Sequence, residues 1–131
     1  MNILSAKIAA ITASEHLSIL SVAVGDDTFH LLLAEVSDAT VGADVTVAFK
    51  ETEVILSPET AASTANRARA RVRTIERGII LSHVTLSYRD TTVRALVPTL
   101  TFHSLDIREG DNVGWMVQPS EISLLRETHG S

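Results

Sequence analysis

The side chains able to do chemistry in this chain are a selective set. There is no cysteine, so thiol catalysis, thiolate-held zinc or iron–sulfur clusters and a disulfide scaffold are all excluded. The five histidines, His16, His30, His83, His103 and His129, have no ligand-like spacing, and no metal-cation site is expected. The six glycines do not gather into a phosphate loop, and no Ser, His and Asp arrangement or paired-carboxylate pattern stands out. Enzymatic activity is therefore not expected. Cations and hydrogen-bond donors remain: Lys7, Lys50 and nine arginines. Arg67, Arg69, Arg71 and Arg73 alternate with Ala68, Ala70 and Val72, which puts all four on one face of a strand. Such a row either packs on an acidic surface or steers an anionic ligand.

These cations are segregated along the chain. Residues 1–62 carry two lysines against nine acids, a net −7, whereas residues 63–131 carry nine arginines against seven acids, a net +2. The imbalance predicts contact between an acidic and a basic surface, head to tail or between subunits. Overall the charge is −5 and the pI about 5.4, which opposes a phosphate-neutralising surface. With Phe29, Phe49, Tyr88, Phe102 and Trp115 as the only aromatics, stacking of single-stranded nucleic acid is not expected either. Apolar residues make up 45% of the chain and mean hydropathy is +0.21, enough for a packed core. The start, Met1 to Lys7, lacks a long apolar run behind a basic end, and no window reaches ~18 uninterrupted apolar residues. No membrane association is expected, and the protein reads as cytoplasmic.

The elements that must position these residues are written twice. Ala6-Lys7-Ile8-Ala9-Ala10-Ile11 aligns with Ala70-Arg71-Val72-Arg73-Thr74-Ile75, and Gly42-Ala43-Asp44-Val45 aligns with Gly110-Asp111-Asn112-Val113. The endings agree too, Val47 to Leu56 against Trp115 to Leu124. The repeat offset grows from 64 to 68, and the extra residues are expected in turns near Glu15-His16, Gly25-Asp26-Asp27 and Ser37 to Thr40. Within each unit the alternation is that of strands: Leu17, Ile19, Ser21 and Ala23 oppose Ser18, Leu20, Val22 and Val24. The pattern predicts strands over 4–13, 17–24, 28–34, 45–50 and 53–56, then 69–76, 79–87, 91–97, 113–118 and 121–125. A helical turn is expected before each repeated glycine, with Leu100 to Ile107 stopped by Gly110. The segment Ser57 to Ala65 is small, polar and Pro-interrupted, so it reads as the connector. The fold class is all-β: two tandem OB-like five-stranded barrels with short helical turns, a first repeat over 1–62 and a second over 63–131. Barrels this small have little core, so the two should pack together.

The order of these motifs, an Asn with an apolar–x–small–x–Ile start, Gly–x–x–Val, then Lys–x–x–Glu–Val, resembles the Mop domain. That is the TOBE-type small barrel of molybdate-binding proteins. The second half also resembles the tail of molybdate-responsive regulators through Ile75-Glu76-Arg77-Gly78, Ala95-Leu96-Val97-Pro98 and Gly110-Asp111-Asn112-Val113. The resemblance covers nearly the whole chain and implies a tandem, molbindin-like protein that holds molybdate or tungstate at domain or subunit interfaces. A tetrahedral oxyanion is gripped by cationic, hydroxyl and backbone N–H donors, which a cysteine-free chain can supply. The family start motif Ser-Ala-Arg-Asn corresponds here to Ser63-Thr64-Ala65-Asn66, with Ala65 in place of the Arg. In the first repeat Asn2 matches, and Met1 stands at the Arg position. Lys50 matches the anion-binding Lys, and Gln118 is its counterpart. Ser37 and Thr101 fall at the hydroxyl position. By default Lys50 is a solvated strand residue, Ser63, Thr64 and Asn66 are turn residues, and Ser37 caps a turn beginning at Asp38. With both motif arginines replaced, a site must use Lys50, hydroxyls and backbone N–H, or take an Arg from elsewhere. A composite of Lys50 from one repeat and Ser63 to Asn66 from another is the expected site.

Two functions follow from the resemblance. One is storage or homeostasis of molybdate or tungstate by a homo-oligomer without a metal cation. The other is a regulatory module related to the TOBE domains of molybdate transporter ATPases or regulators, acting through a protein partner with weak or no anion binding. No helix-turn-helix or nucleotide loop is read in this chain, so it is not expected to be the whole repressor or the ATPase by itself. The Leu31-Leu32-Leu33 run exceeds what one barrel face needs, which favours a closed assembly.

Overall fold

The fold is that of a computed structural model and covers residues 1–34, 39–59 and 64–127. Ten strands are described: β1 Asn2–Ala13, β2 Ser18–Val24, β3 Asp27–Leu33, β4 Asp44–Phe49, β5 Ile55–Pro58, β6 Arg67–Glu76, β7 Leu81–Tyr88, β8 Thr91–Pro98, β9 Asn112–Met116 and β10 Ser123–Glu127. One helix, α1, spans Thr99–Leu105, and 3-10 turns occupy Glu51–Glu53 and Pro119–Glu121. Inward and outward residues alternate as the pattern requires. In β7, Ser82, Val84, Leu86 and Tyr88 are buried between exposed or half-buried neighbours.

The strands form two antiparallel five-stranded sheets, ordered β10-β4-β1-β2-β3 and β5-β9-β6-β7-β8. The all-β, OB-like pair of small barrels expected from the sequence is thus the architecture found. The fifth strand of each sheet, however, comes from the other half of the chain. β5 pairs with β9, Leu56 opposite Trp115, and β10 pairs with β4, Leu124 opposite Val47. Two boundaries shift accordingly. The strands expected at 53–56 and 121–125 begin two residues later, because the residues ahead of them wind into 3-10 turns that pack against β8 and β3 of the opposite half. Ser57 and Pro58, expected in the connector, belong to β5. Pro58 is tolerated there because β5 is an edge strand.

Two further expectations are corrected by the pairing. An offset of 64 holds through the first three strands of each half: Lys7 opposes Ala23 as Arg71 opposes Ser87, and His30 opposes Ser21 as Arg94 opposes Thr85. It becomes 68 only at the fourth, where Asp44 and Asn112 occupy equivalent places. The added residues therefore lie between the third and fourth strands, where α1 sits in the second half, and not in the turns near Glu15 or Gly25. Those hairpin turns match in length, with Gly25 and Arg89 both left-handed at φ 58° and 51°. The helix also ends before Gly110: Asp106 takes the left-handed conformation at φ 51°. Gly110 (φ 94°) serves another purpose. Its N–H donates to Val72 O at 2.8 Å while Val72 N–H donates to Asp111 O at 2.8 Å. Gly42 (φ 93°) repeats this contact with Ile8 in the first half. Each contact lies beside a register slip in the central strand, between Ile8 and Ala10 and between Val72 and Thr74. Ahead of Gly42, where a helical turn is also expected, residues 35–38 lie outside the described residues.

A single hydrophobic cluster runs through both halves. At its centre Trp115 is fully buried, stacked on Phe29 (5.5 Å) and Phe49 (5.7 Å) of the first half and edge-on to Tyr88 (5.0 Å). Because Trp115 of the second half packs its ring against two rings of the first, the halves share one core.

Candidate functional site

The strand exchange creates two equivalent junctions between the halves, each built around an asparagine. Asn2 opens β1 opposite Phe49, which places Lys50, the residue after β4, next to it. Its buried carboxamide spans the free edge of β8: Nδ2 donates to Arg94 O and Arg94 N–H donates to Oδ1, both at 2.8 Å. Asn66 precedes β6 and repeats the arrangement on β3. His30 N–H donates to Asn66 Oδ1 at 2.8 Å, and Nδ2 donates to His30 O and to Val117 O, each at 3.0 Å. Asn66 also holds φ 66°, a conformation Asn tolerates better than most residues. Both side chains satisfy paired backbone groups at a sheet edge, which explains two nearly buried amides in an otherwise apolar region.

The residues singled out in the sequence divide between these junctions. Lys50 lies exposed beside Asn2, and its carbonyl accepts from Glu53 N–H at 3.0 Å. Gln118 occupies the matching position beside Asn66, exposed, with its carbonyl accepting from Glu121 N–H at 2.9 Å. Thr64 and Ala65 are exposed in the turn before β6, closed by Arg67 N–H to Thr64 O at 3.1 Å. Within one chain, then, Lys50 flanks Asn2 and the Thr64 to Asn66 turn flanks Gln118. Thr101 is exposed on α1, which packs on β7 and β8, and its carbonyl accepts from Ser104 Oγ at 2.7 Å. Ser37 and Ser63 lie outside the described residues.

Two residues escaped the sequence reading: Arg94 and His30. Their signal was their equal offset of 64 within the repeat, but nothing in the sequence says which strand edge an Asn side chain will clamp. They differ in their surroundings. His30 Nδ1 lies 2.8 Å from Ser21 Oγ, whereas the exposed Arg94 guanidinium takes no hydrogen bond or ion pair among the described residues.

A third cross-half contact is polar and asymmetric. Tyr88 OH donates to Asp27 Oδ2 at 2.6 Å, and Arg89 Nη2 reaches the same oxygen at 3.1 Å. Burial, reinforced by the Asp27 carboxylate, pushes the Tyr88 hydroxyl well above the usual phenol range. The Arg89 guanidinium, held by Tyr88 and Asp27, is shifted up in turn. It lies against Gly25, where a Cβ would collide with it. Arg69, Asp27, Tyr88 and Arg89 line a shallow cavity of about 260 Å³ here. Arg69, Arg71 and Arg73 of the predicted arginine row are exposed on the second sheet. Arg73 bonds Thr92 at 3.1 Å and Arg67 reaches Met116 Sδ at 3.8 Å. Arg67 of the same row is half-buried, and Arg69 shares the cavity above with Asp27 of the acidic half. Among the described residues no three His, Asp or Glu side chains gather as a cation ligand set, and no helix is long and apolar enough to cross a membrane.

The architecture is that of two small OB-like barrels with exchanged edge strands. Among solved structures the chain is similar to the cytoplasmic molybdate-binding protein ModG, in a crystal form with molybdate bound: TM-score 0.84, 18% identity, 94% of each chain covered. At that identity the likeness is one of fold. No family model matches the sequence, and no curated protein does.

Proposed function

We propose that this protein binds molybdate or tungstate inside the cell, for storage or homeostasis, at sites between subunits. The observation that carries the reading is Lys50. It stands at the motif position for an anion-binding lysine, exposed at a junction built by Asn2, and it makes no ion pair among the described residues. The ModG-like fold over nearly the whole chain supports the same reading. Chemically the demand is modest. A dianion needs cationic and N–H donors to its oxygens and no open metal valence. Lys50 supplies charge, and the exposed Thr64-Ala65 turn of a second copy, with Ser63 and Asn66, supplies hydroxyl and backbone donors. Ser37, Thr101 and Gln118 are the remaining donors at the family's positions. A homo-oligomer is part of this reading, because Lys50 and the Thr64 turn sit at different junctions of one chain.

Isothermal titration with molybdate, tungstate and sulfate, with mass from light scattering, tests it. Tight binding of the first two and not sulfate, lost in Lys50→Ala, is the expected result. Binding unchanged in Lys50→Ala would remove Lys50 from the site. The replacements at Ala65 and Gln118 favour a second reading, a regulatory module acting through a protein partner. Absence of binding to any of the three anions would select it.

A further inference from the structure

We infer that Arg94 supplies the second positive charge of the Lys50 site, so that the junction at Asn2 carries the Lys50 and Arg94 pair, whereas at Asn66 Gln118 and His30 stand in their places. The inference rests on the oxyanion reading above and assigns a residue outside the family motif. Its basis is the internal symmetry of the fold. The two asparagines make the same two-point contact with the edge strand of the opposite half, so Arg94 and His30 occupy equivalent places, as do Lys50 and Gln118. The two-point clamp is the same at both, while Asn66 adds a left-handed backbone and a third bond to Val117 O.

At the Asn2 junction both long side chains are cationic, exposed and unpaired among the described residues. The acids of the adjoining 3-10 turn, Glu51 and Glu53, form no ion pair with either of them, and Glu51 lies 3.9 Å from the chain's amino group. Two cations without an ion pair flank one clamp, and a tetrahedral dianion matches their combined charge. A guanidinium adds paired N–H donors that suit two oxygens of one oxyanion. The other junction offers a neutral Gln118 and a His30 already engaged by Ser21. Arg89 is paired with Asp27, and Arg73 bonds Thr92. Arg94 alone has its backbone held by the asparagine that the motif places at the site. It takes over the charge lost where Met1 and Ala65 stand in place of the motif Arg.

The test is molybdate titration of the full chain and of Arg94→Ala, Arg94→Lys, Lys50→Ala and the double variant His30→Arg/Gln118→Lys. Arg94→Ala leaves the Asn2 backbone contacts in place, and an unchanged melting temperature checks this. Loss of one charge-assisted contact weakens binding roughly 10- to 100-fold, with Arg94→Lys between the two and a shallower salt dependence in Arg94→Ala. The wild-type chain binds one anion, and the double variant gains a second. Wild-type affinity in Arg94→Ala together with loss in Lys50→Ala would overturn the role of Arg94 while leaving the oxyanion reading standing. Two equal sites per wild-type chain would overturn the asymmetry. A wild-type chain that binds no oxyanion refutes the functional reading, and the present inference with it.

Discussion

At the scale of single residues, one side chain type seals both junctions between the halves. Asn2 and Asn66 were singled out as candidate ligands, yet their carboxamides are occupied by backbone of the opposite half. Beside them Lys50, Gln118 and Arg94 are exposed, and His30 is half-buried against Ser21. Tyr88 is the chain's single tyrosine and gives this scale its prediction. In the unfolded chain a phenol loses its proton near pH ~10, but burial and Asp27 hold the folded one protonated to higher pH. The folded state then binds more protons than the unfolded one, so this contribution to stability is complete below pH ~10 and declines as pH rises beyond it. Tyrosinate absorbance in an alkaline titration is expected to appear together with loss of the Trp115 near-ultraviolet signal. Ionisation at the ordinary pH with that signal intact would show Tyr88 to be unburied. Asp27→Asn should bring the ionisation to lower pH.

Among the elements, the repeated Gly–x–x–Val motif has a mechanical explanation. Gly42 and Gly110 turn the chain through positive φ so that their N–H groups reach Ile8 and Val72 beside the register slips. No atom lies within 4 Å of a Cβ built at either position, so backbone conformation and not space demands glycine. Gly110→Ala should therefore cost about 1–2 kcal/mol and Gly110→Asn less, since Asn tolerates this region. Denaturant melts measure both, and equal costs would point to packing instead. The strands themselves were legible because alternation such as Val84, Leu86 against Thr85, Ser87 has a period of two. The 3-10 turns at Glu51–Glu53 and Pro119–Glu121 were not. Their short runs carry no periodic signal, and what sets them is their packing on β8 and β3 of the opposite half.

For the whole molecule, the exchange of β5 and β10 makes two halves into one cooperative unit. Trp115 of the second half stacks on Phe29 and Phe49 of the first, and each sheet lacks an edge strand without the other half. Unfolding should be a single transition with equal calorimetric and van't Hoff enthalpies. Asn66→Ala, which strands His30 N–H and two carbonyls at the junction, should lower that transition as a whole by roughly 2–4 kcal/mol. Two separable melts in differential scanning calorimetry would show that the halves are independent.

The sequence by itself determined the repeat, the strand alternation, the all-β class and the motif positions of Lys50, Asn2 and Asn66, because these are properties of local spacing. Only the tertiary structure decided that the last strands are exchanged, that the length difference falls between the third and fourth strands, and that Arg94 rather than His30 lies beside Lys50's junction. Those outcomes depend on which distant edges meet. A strand's sequence states which face is apolar, but its neighbour is chosen by the burial that the whole chain achieves at once.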